Sequence, residues 1–249
     1  MKKSKNIYFI AALFFIAALS ARAPHAEPFS IPEKFTYDLT WAGIKTGEAS
    51  LEIRDNGSDI QFISKAASAG WVSVFYRVED NVVSTLKKEG YANFAFTPKN
   101  YRLKIREGKH KRDREIVFDH TAKKAVYINR LDNKKTESGI SGSTFDPLSS
   151  LYYLRGIRLE VGKPVFIDIF DSKKLYKMEV QVLKKEIVET PSGTFKTILI
   201  KPLMRSEGIF YRKGDILVWL TDDNKRIPVL LKTKVSLGSV KAALTSGNY

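Results

Sequence analysis

Phe35-Thr36-Tyr37-Asp38-Leu39-Thr40-Trp41 alternates apolar and polar side chains at every step. A period of two places Phe35, Tyr37, Leu39 and Trp41 on one face of a β-strand and the polar residues on the other. The same alternation returns in Leu51-Glu52-Ile53-Arg54, in Tyr101 to Arg106 and in Met178 to Val182. Each reads as a strand with one buried and one wet face. Three runs are apolar on both faces: Val165–Phe170, interrupted only by Asp168, then Ile198–Ile200 and Ile216–Leu220. Those are expected to be covered on both sides or to line a cavity.

Turn signals separate these runs. Asp55-Asn56-Gly57-Ser58 is a strong hairpin signal. Lys88-Glu89-Gly90, Glu107-Gly108-Lys109, Pro191-Ser192-Gly193 and Asp222-Asp223-Asn224-Lys225 are further candidates. Short strands joined by short turns predict an antiparallel meander. A sheet of about twelve strands must curl or close to manage its edges. The expected fold is therefore all-β: a large curved antiparallel meander sheet or an open β-barrel.

One segment breaks the period. Asp146-Pro147 fits an N-cap followed by proline at the first helical position. Leu148, Leu151, Tyr152 and Arg155 follow at helical spacing, and Gly156 is the stop. A single short helix over 147–155 is predicted, plugging one end or the concave face of the sheet. Leu148, Leu151 and Tyr152 should face the sheet, and Arg155 should pair with a carboxylate or with the helix's terminal carbonyls.

Composition narrows the chemistry. The chain has 249 residues, three His and no Cys. Without cysteine there is no disulfide framework, no thiolate nucleophile and no thiolate metal site. His110 and His120 lack acidic ligands at fixed spacing, and Ser143, Ser149 and Ser150 lack a Gly-x-Ser-x-Gly elbow. No metal, no cofactor and no catalytic residue is expected. Asp222-Asp223-Asn224 lacks the spacing of an EF-hand and reads as a turn whose side chains bond their own backbone.

The first 26 residues read as an address. Lys2, Lys3 and Lys5 precede the uncharged run Ile7–Leu19, and Ala21, Ala23 and Ala26 follow. This is the tripartite secretory signal. The apolar run spans only about 20 Å as a helix, short of the roughly 30 Å of a bilayer core. Cleavage after Ala26 is preferred and Ala21 is next, because cleavage after Ala23 would leave Pro24 first. A cleaved signal peptide over 1–26 and a single all-β domain over 27–249 are expected. Removal takes away Lys2, Lys3, Lys5 and Arg22 and no acid, so the formal charge falls from +15 to +11. The expected location is periplasmic, and no integral membrane segment remains.

Four stretches carry a family resemblance: Tyr37-x-x-x-Trp41-x-Gly43-Ile44-x-x-Gly47-x-Ala49; Asp146-Pro147-Leu148-Ser149-Ser150-Leu151-Tyr152-Tyr153-Leu154-Arg155; Gly193-Thr194-Phe195-Lys196-Thr197; and Trp219-Leu220-Thr221-Asp222-Asp223-x-x-Arg226-Ile227-Pro228-Val229 leading to Gly238-Ser239-Val240. In this order, over roughly residues 33–245, the chain resembles the exported bacterial proteins grouped as domain of unknown function 3108. The resemblance implies a periplasmic all-β protein of a Gram-negative bacterium. It implies no activity, so no catalytic residue is transferred. Trp41, Arg155 and Trp219 are the ligand-binding candidates.

The segment Lys104 to Arg114 carries Lys104, Arg106, Lys109, Lys111, Arg112 and Arg114 beside His110, against only Glu107 and Asp113. As a hairpin it offers contact with an anionic surface such as lipid phosphates. The competing reading is a solvated hairpin whose charges block edge pairing. No nucleic-acid reader motif accompanies it, so nucleic acid is not an expected partner. Phe29, Phe35, Tyr37, Trp41, Phe62, Trp71, Phe75, Tyr76, Phe94, Phe96 and Tyr101 crowd the first half, and most are expected in the core. A large curved sheet can nevertheless enclose more space than its side chains fill. The leading functional reading is a non-enzymatic envelope protein that binds a lipid, an acylated glycan or an envelope partner. The alternatives are a carboxylate-dependent hydrolase of an envelope glycan and a scaffold of an envelope complex.

Overall fold

The computed structural model describes residues 29–89, 91, 96–203, 216–234 and 238–248. The leader expected over 1–26, Gly90 and Phe94 lie outside the described residues. The first strands are β1 (Glu33–Trp41), β2 (Ile44–Asn56) and β3 (Asp59–Ser68). A one-turn helix, α1 (Gly70–Ser73), leads to β4 (Val78–Lys87). Then come β5 (Pro98–Glu107), β6 (His110–Asp119), β7 (Lys124–Asn129) and β8 (Lys134–Gly139). Helix α2 (Pro147–Gly156) interrupts the strands. The remainder is β9 (Val165–Asp171), β10 (Lys174–Thr190), β11 (Gly193–Leu203), β12 (Ile216–Thr221), β13 (Pro228–Lys234) and β14 (Ser239–Gly247).

All fourteen described strands belong to one antiparallel sheet in the order β8-β7-β6-β5-β4-β3-β2-β1-β14-β13-β12-β11-β10-β9. The all-β meander is therefore as expected, with two more strands than the sequence suggested and one extra helical turn, α1. The first and last strands pair at the centre, Trp41 opposite Val240 and Phe35 opposite Gly247. The free edges are β8 and β9, and they do not pair with each other. The chain leading into α2 comes between them. Phe145 N–H donates to Asp168 O and Phe145 O accepts from Phe170 N–H, at 2.8 and 2.9 Å, a single parallel bridge onto β9.

The sheet has two apolar clusters. The larger one gathers Ile53, Ile60, Phe62, Leu86, Phe96, Tyr101 and Ile116 with Tyr152 and Leu154 of α2, and with Ile167, Ile169, Val180, Ile198, Ile200, Val218 and Leu220. The smaller one holds Phe35, Tyr37, Leu199, Trp219, Ile227, Val229 and Leu244. The doubly apolar runs explain how the clusters meet. Ile198 and Ile200 face one while Leu199 faces the other, and Val218 and Leu220 are divided from Trp219 in the same way. Val165–Phe170 departs from that expectation. Ile167, Ile169 and Phe170 are buried, Phe170 against Phe118, but Phe166, on the same face as Phe170 and nearer the start of this edge strand, is exposed.

α2 forms where the proline and its cap predict. Asp146 Oδ1 accepts the backbone N–H of Leu148 and of Ser149, at 2.8 and 2.9 Å. Ser149 Oγ in turn accepts the Asp146 N–H at 3.1 Å, which closes a capping box. Leu148 and Tyr152 are buried as expected, but Leu151 is only half-buried. Leu154, Ser149 and Ser150 are buried instead. The helix is enclosed by more than one wall, so it buries more than a single stripe.

Candidate functional site

The pairing registers arrange the concave face of β1–β6 in rows. The deepest row runs Glu33, Ile53, Phe62, Ser84, Tyr101, Ile116. All six are buried. α2 lies across this row and is fastened at three strands. Ser84 Oγ of β4 donates to Asp146 Oδ2 at 2.6 Å. The Tyr152 ring stacks on Phe62 of β3 with centroids 3.8 Å apart. Arg155 donates to both carboxylate oxygens of Glu33 at the start of β1, each at 2.7 Å.

Arg155 is 1 % exposed and Glu33 4 %, so this is a buried bidentate pair. The guanidinium also donates to Lys225 O and lies over the rings of Phe29, Phe35 and Tyr152. Burial works against its charge, but the Glu33 carboxylate outweighs burial and holds the Arg155 pKa above its ordinary value. For Asp146 the balance is opposite. Burial raises its carboxyl against the four hydrogen bonds it accepts from Ser84, Ser149 and Leu148. Both groups act on the helix.

Beyond the helix the concave face opens. The second row runs Phe35, Leu51, Ser64, Val82, Leu103, Arg114, and the third Tyr37, Ala49, Ala66, Asp80, Ile105, Arg112. Apart from Phe35 and Tyr37 these side chains are half-buried. Small and apolar residues fill the middle except at Asp80, whose Oδ1 accepts the Arg106 N–H at 3.3 Å, and two arginines stand at one side. Arg112 Nη2 donates to Glu107 Oε2 at 3.1 Å, and Arg114 Nη1 to Ser172 Oγ at 3.1 Å. Asp171, at the end of β9, faces them. Burial pushes its carboxyl above the ordinary value, against the pull of Ser172, Arg114 and Arg112. Burial likewise raises the Tyr176 phenol, which the Asp171 charge raises further. Two buried polar atoms of this cluster, Arg112 Nε and the Tyr176 hydroxyl, have no hydrogen-bond partner among the described residues. Groups of this kind in a native fold point to something that completes them.

The basic hairpin therefore divides. Lys104, Arg106 and Lys111 alternate with the concave rows and face outward, Lys109 is at the tip, and Arg112 and Arg114 face inward. Arg102 on the outer face pairs with Asp113, so the acids of β6 neutralise part of the patch. The candidates Trp41, Arg155 and Trp219 are not brought together. Trp41 is exposed at the far end of β1, and Trp219 is buried in the smaller cluster with Nε1 donating to Glu186 Oε1 at 2.8 Å. Hydrogen bonds from Lys184 and then Trp219 hold the Glu186 carboxyl below its ordinary value. Asp223 caps its own turn, accepting from Thr221 Oγ1 and from the N–H groups of Lys225 and Arg226. His110 and His120 stand at opposite ends of β6, and His120 Nε2 bonds Pro98 O at 2.7 Å. Among the described residues no three His, Asp or Glu converge on a metal position. No helix among them is long and apolar enough to cross a membrane. The inward arginines with Asp171 and Tyr176 were not legible as a unit, because β6 and β9 meet only through the curl of the sheet.

A family model described as protein of unknown function, DUF3108, matches residues 36–245. The chain belongs to this family. The match spans most of β1 through most of β14, and so includes the helix and, apart from Phe35, both open rows. No curated protein matches the sequence. Among solved structures, a β-barrel-like protein of domain of unknown function DUF1849 from Brucella abortus has the same fold. It is 15 % identical, with a TM-score of 0.55 over 87 % of this chain and 97 % of that one. A Bacteroides fragilis protein assigned as exported, with a YmcC-like fold, is 11 % identical with a TM-score of 0.32, covering 87 % of this chain and 95 % of its own. A Parabacteroides distasonis protein assigned as a lipoprotein is 9 % identical with a TM-score of 0.34 over the same shares.

Proposed function

We propose that this DUF3108 protein is a non-enzymatic, periplasmic envelope protein that holds an acyl chain of a lipid or acylated glycan on its concave face. The signal-like leader over 1–26 supports export, with a single all-β domain over 27–249 as the mature form. The observation that carries the reading is the open pair of rows. Leu51, Val82, Leu103 and Ile105 with Ala49 and Ala66 offer a largely apolar trough, interrupted at Asp80 between Ala66 and Ile105. Arg112 Nε and the Tyr176 hydroxyl wait beside it without partners. An amphiphile satisfies both parts: the chain covers the half-buried apolar surface, and its anionic head group pairs with Arg112 and Arg114. Lys104, Arg106, Lys109 and Lys111, on the outside, are left for an anionic envelope surface.

A dansyl-labelled fatty acid tests this in solution. It should bind the delipidated protein with a blue-shifted emission, be displaced by unlabelled fatty acid, bind Arg112→Glu more weakly, and fail to bind Ala66→Trp, which fills the trough. Equal binding by wild type and Ala66→Trp, or none by either, overturns the reading.

A further inference from the structure

At the end of the sheet opposite α2, large apolar side chains stand uncovered. Trp71 is 56 % exposed, Val74 77 %, Phe75 87 % and Tyr76 53 %, and Trp41 and Ile44 at the β1–β2 turn are exposed beside them. The sequence placed most of these aromatics in the core, and the structure corrects that. Three connections are joined at this rim. Ala69 N–H of the β3–β4 connection donates to Thr46 O of β2 at 2.8 Å. Gly108 N–H of the β5–β6 turn donates to Arg77 O at 2.8 Å, and a Cβ on Gly108 would come within 2.9 Å of the Tyr76 ring. The lysines at that hairpin tip, Lys109 and Lys111, are exposed and make no ion pair among the described residues.

We propose that this rim is a membrane-docking edge, with Trp71–Tyr76 entering the interface of an anionic bilayer and Lys109 and Lys111 resting on lipid phosphates. It extends the surface contact proposed above and needs neither the trough nor its ligand. Part of the turn's hydrogen bonding is closed internally. Its polar side chain, Ser73, turns inward and bonds Ser68 and the Ala69 carbonyl. The N–H groups of Ser73, Phe75 and Tyr76 are satisfied within the turn by Ala69 O and Val72 O. The outward surface thus offers a protein partner few polar side chains, and the backbone groups of the first turn that stay open suit the head-group interface and not the hydrocarbon core. Tryptophan and tyrosine place an apolar ring and a polar tip at such a boundary. Val74 and Phe75 project from the rim instead of lining a groove, which suits insertion. Unpaired lysines beside an apolar knob complement anionic head groups.

The full reading frame is expressed in a bacterial host, purified as the host processes it, and sedimented with sucrose-loaded vesicles. Vesicles of phosphatidylethanolamine and phosphatidylglycerol should carry the protein down, and phosphatidylcholine vesicles should do so weakly. Val74→Ser/Phe75→Ser should lower the partition by about tenfold or more, since apolar burial drives interfacial binding. Lys109→Glu/Lys111→Glu should erase the preference for the anionic vesicles. Brominated lipid should quench tryptophan emission, and Trp71→Phe should lower that quenching, leaving the share of Trp41 on the same rim. Ala66→Trp should lose fatty-acid binding and still sediment, which separates this proposal from the trough. Wild type left in the supernatant, or Val74→Ser/Phe75→Ser partitioning like wild type, overturns it. So does a dimer that Val74→Ser/Phe75→Ser dissolves without any vesicle binding, which would assign the rim to a second copy.

Discussion

Arg155→Met tests how α2 is held. The substitution keeps most of the side-chain volume under the rings of Phe29, Phe35 and Tyr152 but removes the cation opposite Glu33. Both partners are buried, so the lost pair is not replaced by water. Breaking a buried ion pair from one side costs about 3–5 kcal/mol, mostly through the charge left behind. At roughly 2–4 °C per kcal/mol for a chain of this size, melting should fall by about 6–20 °C. The loss should depend on pH. In the variant the Glu33 carboxylate is buried without a cation, and a buried lone charge costs more than its neutral form. The penalty falls on the folded state when the carboxyl is charged and is relieved as pH falls and the carboxyl is protonated. Arg155→Met should therefore lie closer to wild type at about pH 5 than at about pH 8. Glu33→Leu/Arg155→Met removes both charges and should recover most of the loss. Thermal and urea unfolding followed by circular dichroism measures all of this. If Arg155→Met melts with wild type, or the double variant loses the sum of the two single losses, the pair does not hold the helix.

Three further outcomes follow from the same geometry. Asp146→Ala removes a cap worth about 0.5–2 kcal/mol and leaves the buried Ser84 hydroxyl without its acceptor at about 1–3 kcal/mol, so urea unfolding should show a loss of about 2–4 kcal/mol; a loss below about 0.5 kcal/mol would contradict the cap. Leu154→Ala should cost about 2–5 kcal/mol and the half-buried Leu151→Ala about 1, and the reverse order would place the wrong face of α2 inward. Asp171, whose pKa burial raises, binds its proton more tightly folded than unfolded, so it lowers stability as pH climbs from the ordinary carboxylate range through the raised value. Asp171→Asn should flatten that slope and gain stability at neutral pH, read from urea midpoints at two pH values; an unchanged slope would put the carboxyl in water.

The strands were legible where one face is wet. β1, β5 and β10 carry the alternation that predicted them, and Ile198–Ile200 and Ile216–Leu220 are doubly covered because two clusters meet across them. β8, Lys-Lys-Thr-Glu-Ser-Gly, has no apolar side chain and was invisible to periodicity. It is an edge strand, where charge prevents unwanted pairing. The cap at Asp146 is local and was read correctly. The partner of Arg155 is 122 residues away, so the sequence could ask for a carboxylate but not name Glu33. The aromatic rim was misread for a related reason. Trp71 to Tyr76 looks like core by composition, and only the tertiary fold leaves it outside. The concave trough belongs to the same class, since its rows collect one residue from each of six strands.

Native mass spectrometry of the protein purified from its own host without detergent measures the acyl-chain reading most directly. The expected spectrum contains a population heavier than the polypeptide by one amphiphile, which solvent extraction removes and which Ala66→Trp lacks. A single species at the polypeptide mass, identical in wild type and Ala66→Trp, contradicts a lipid on the concave face.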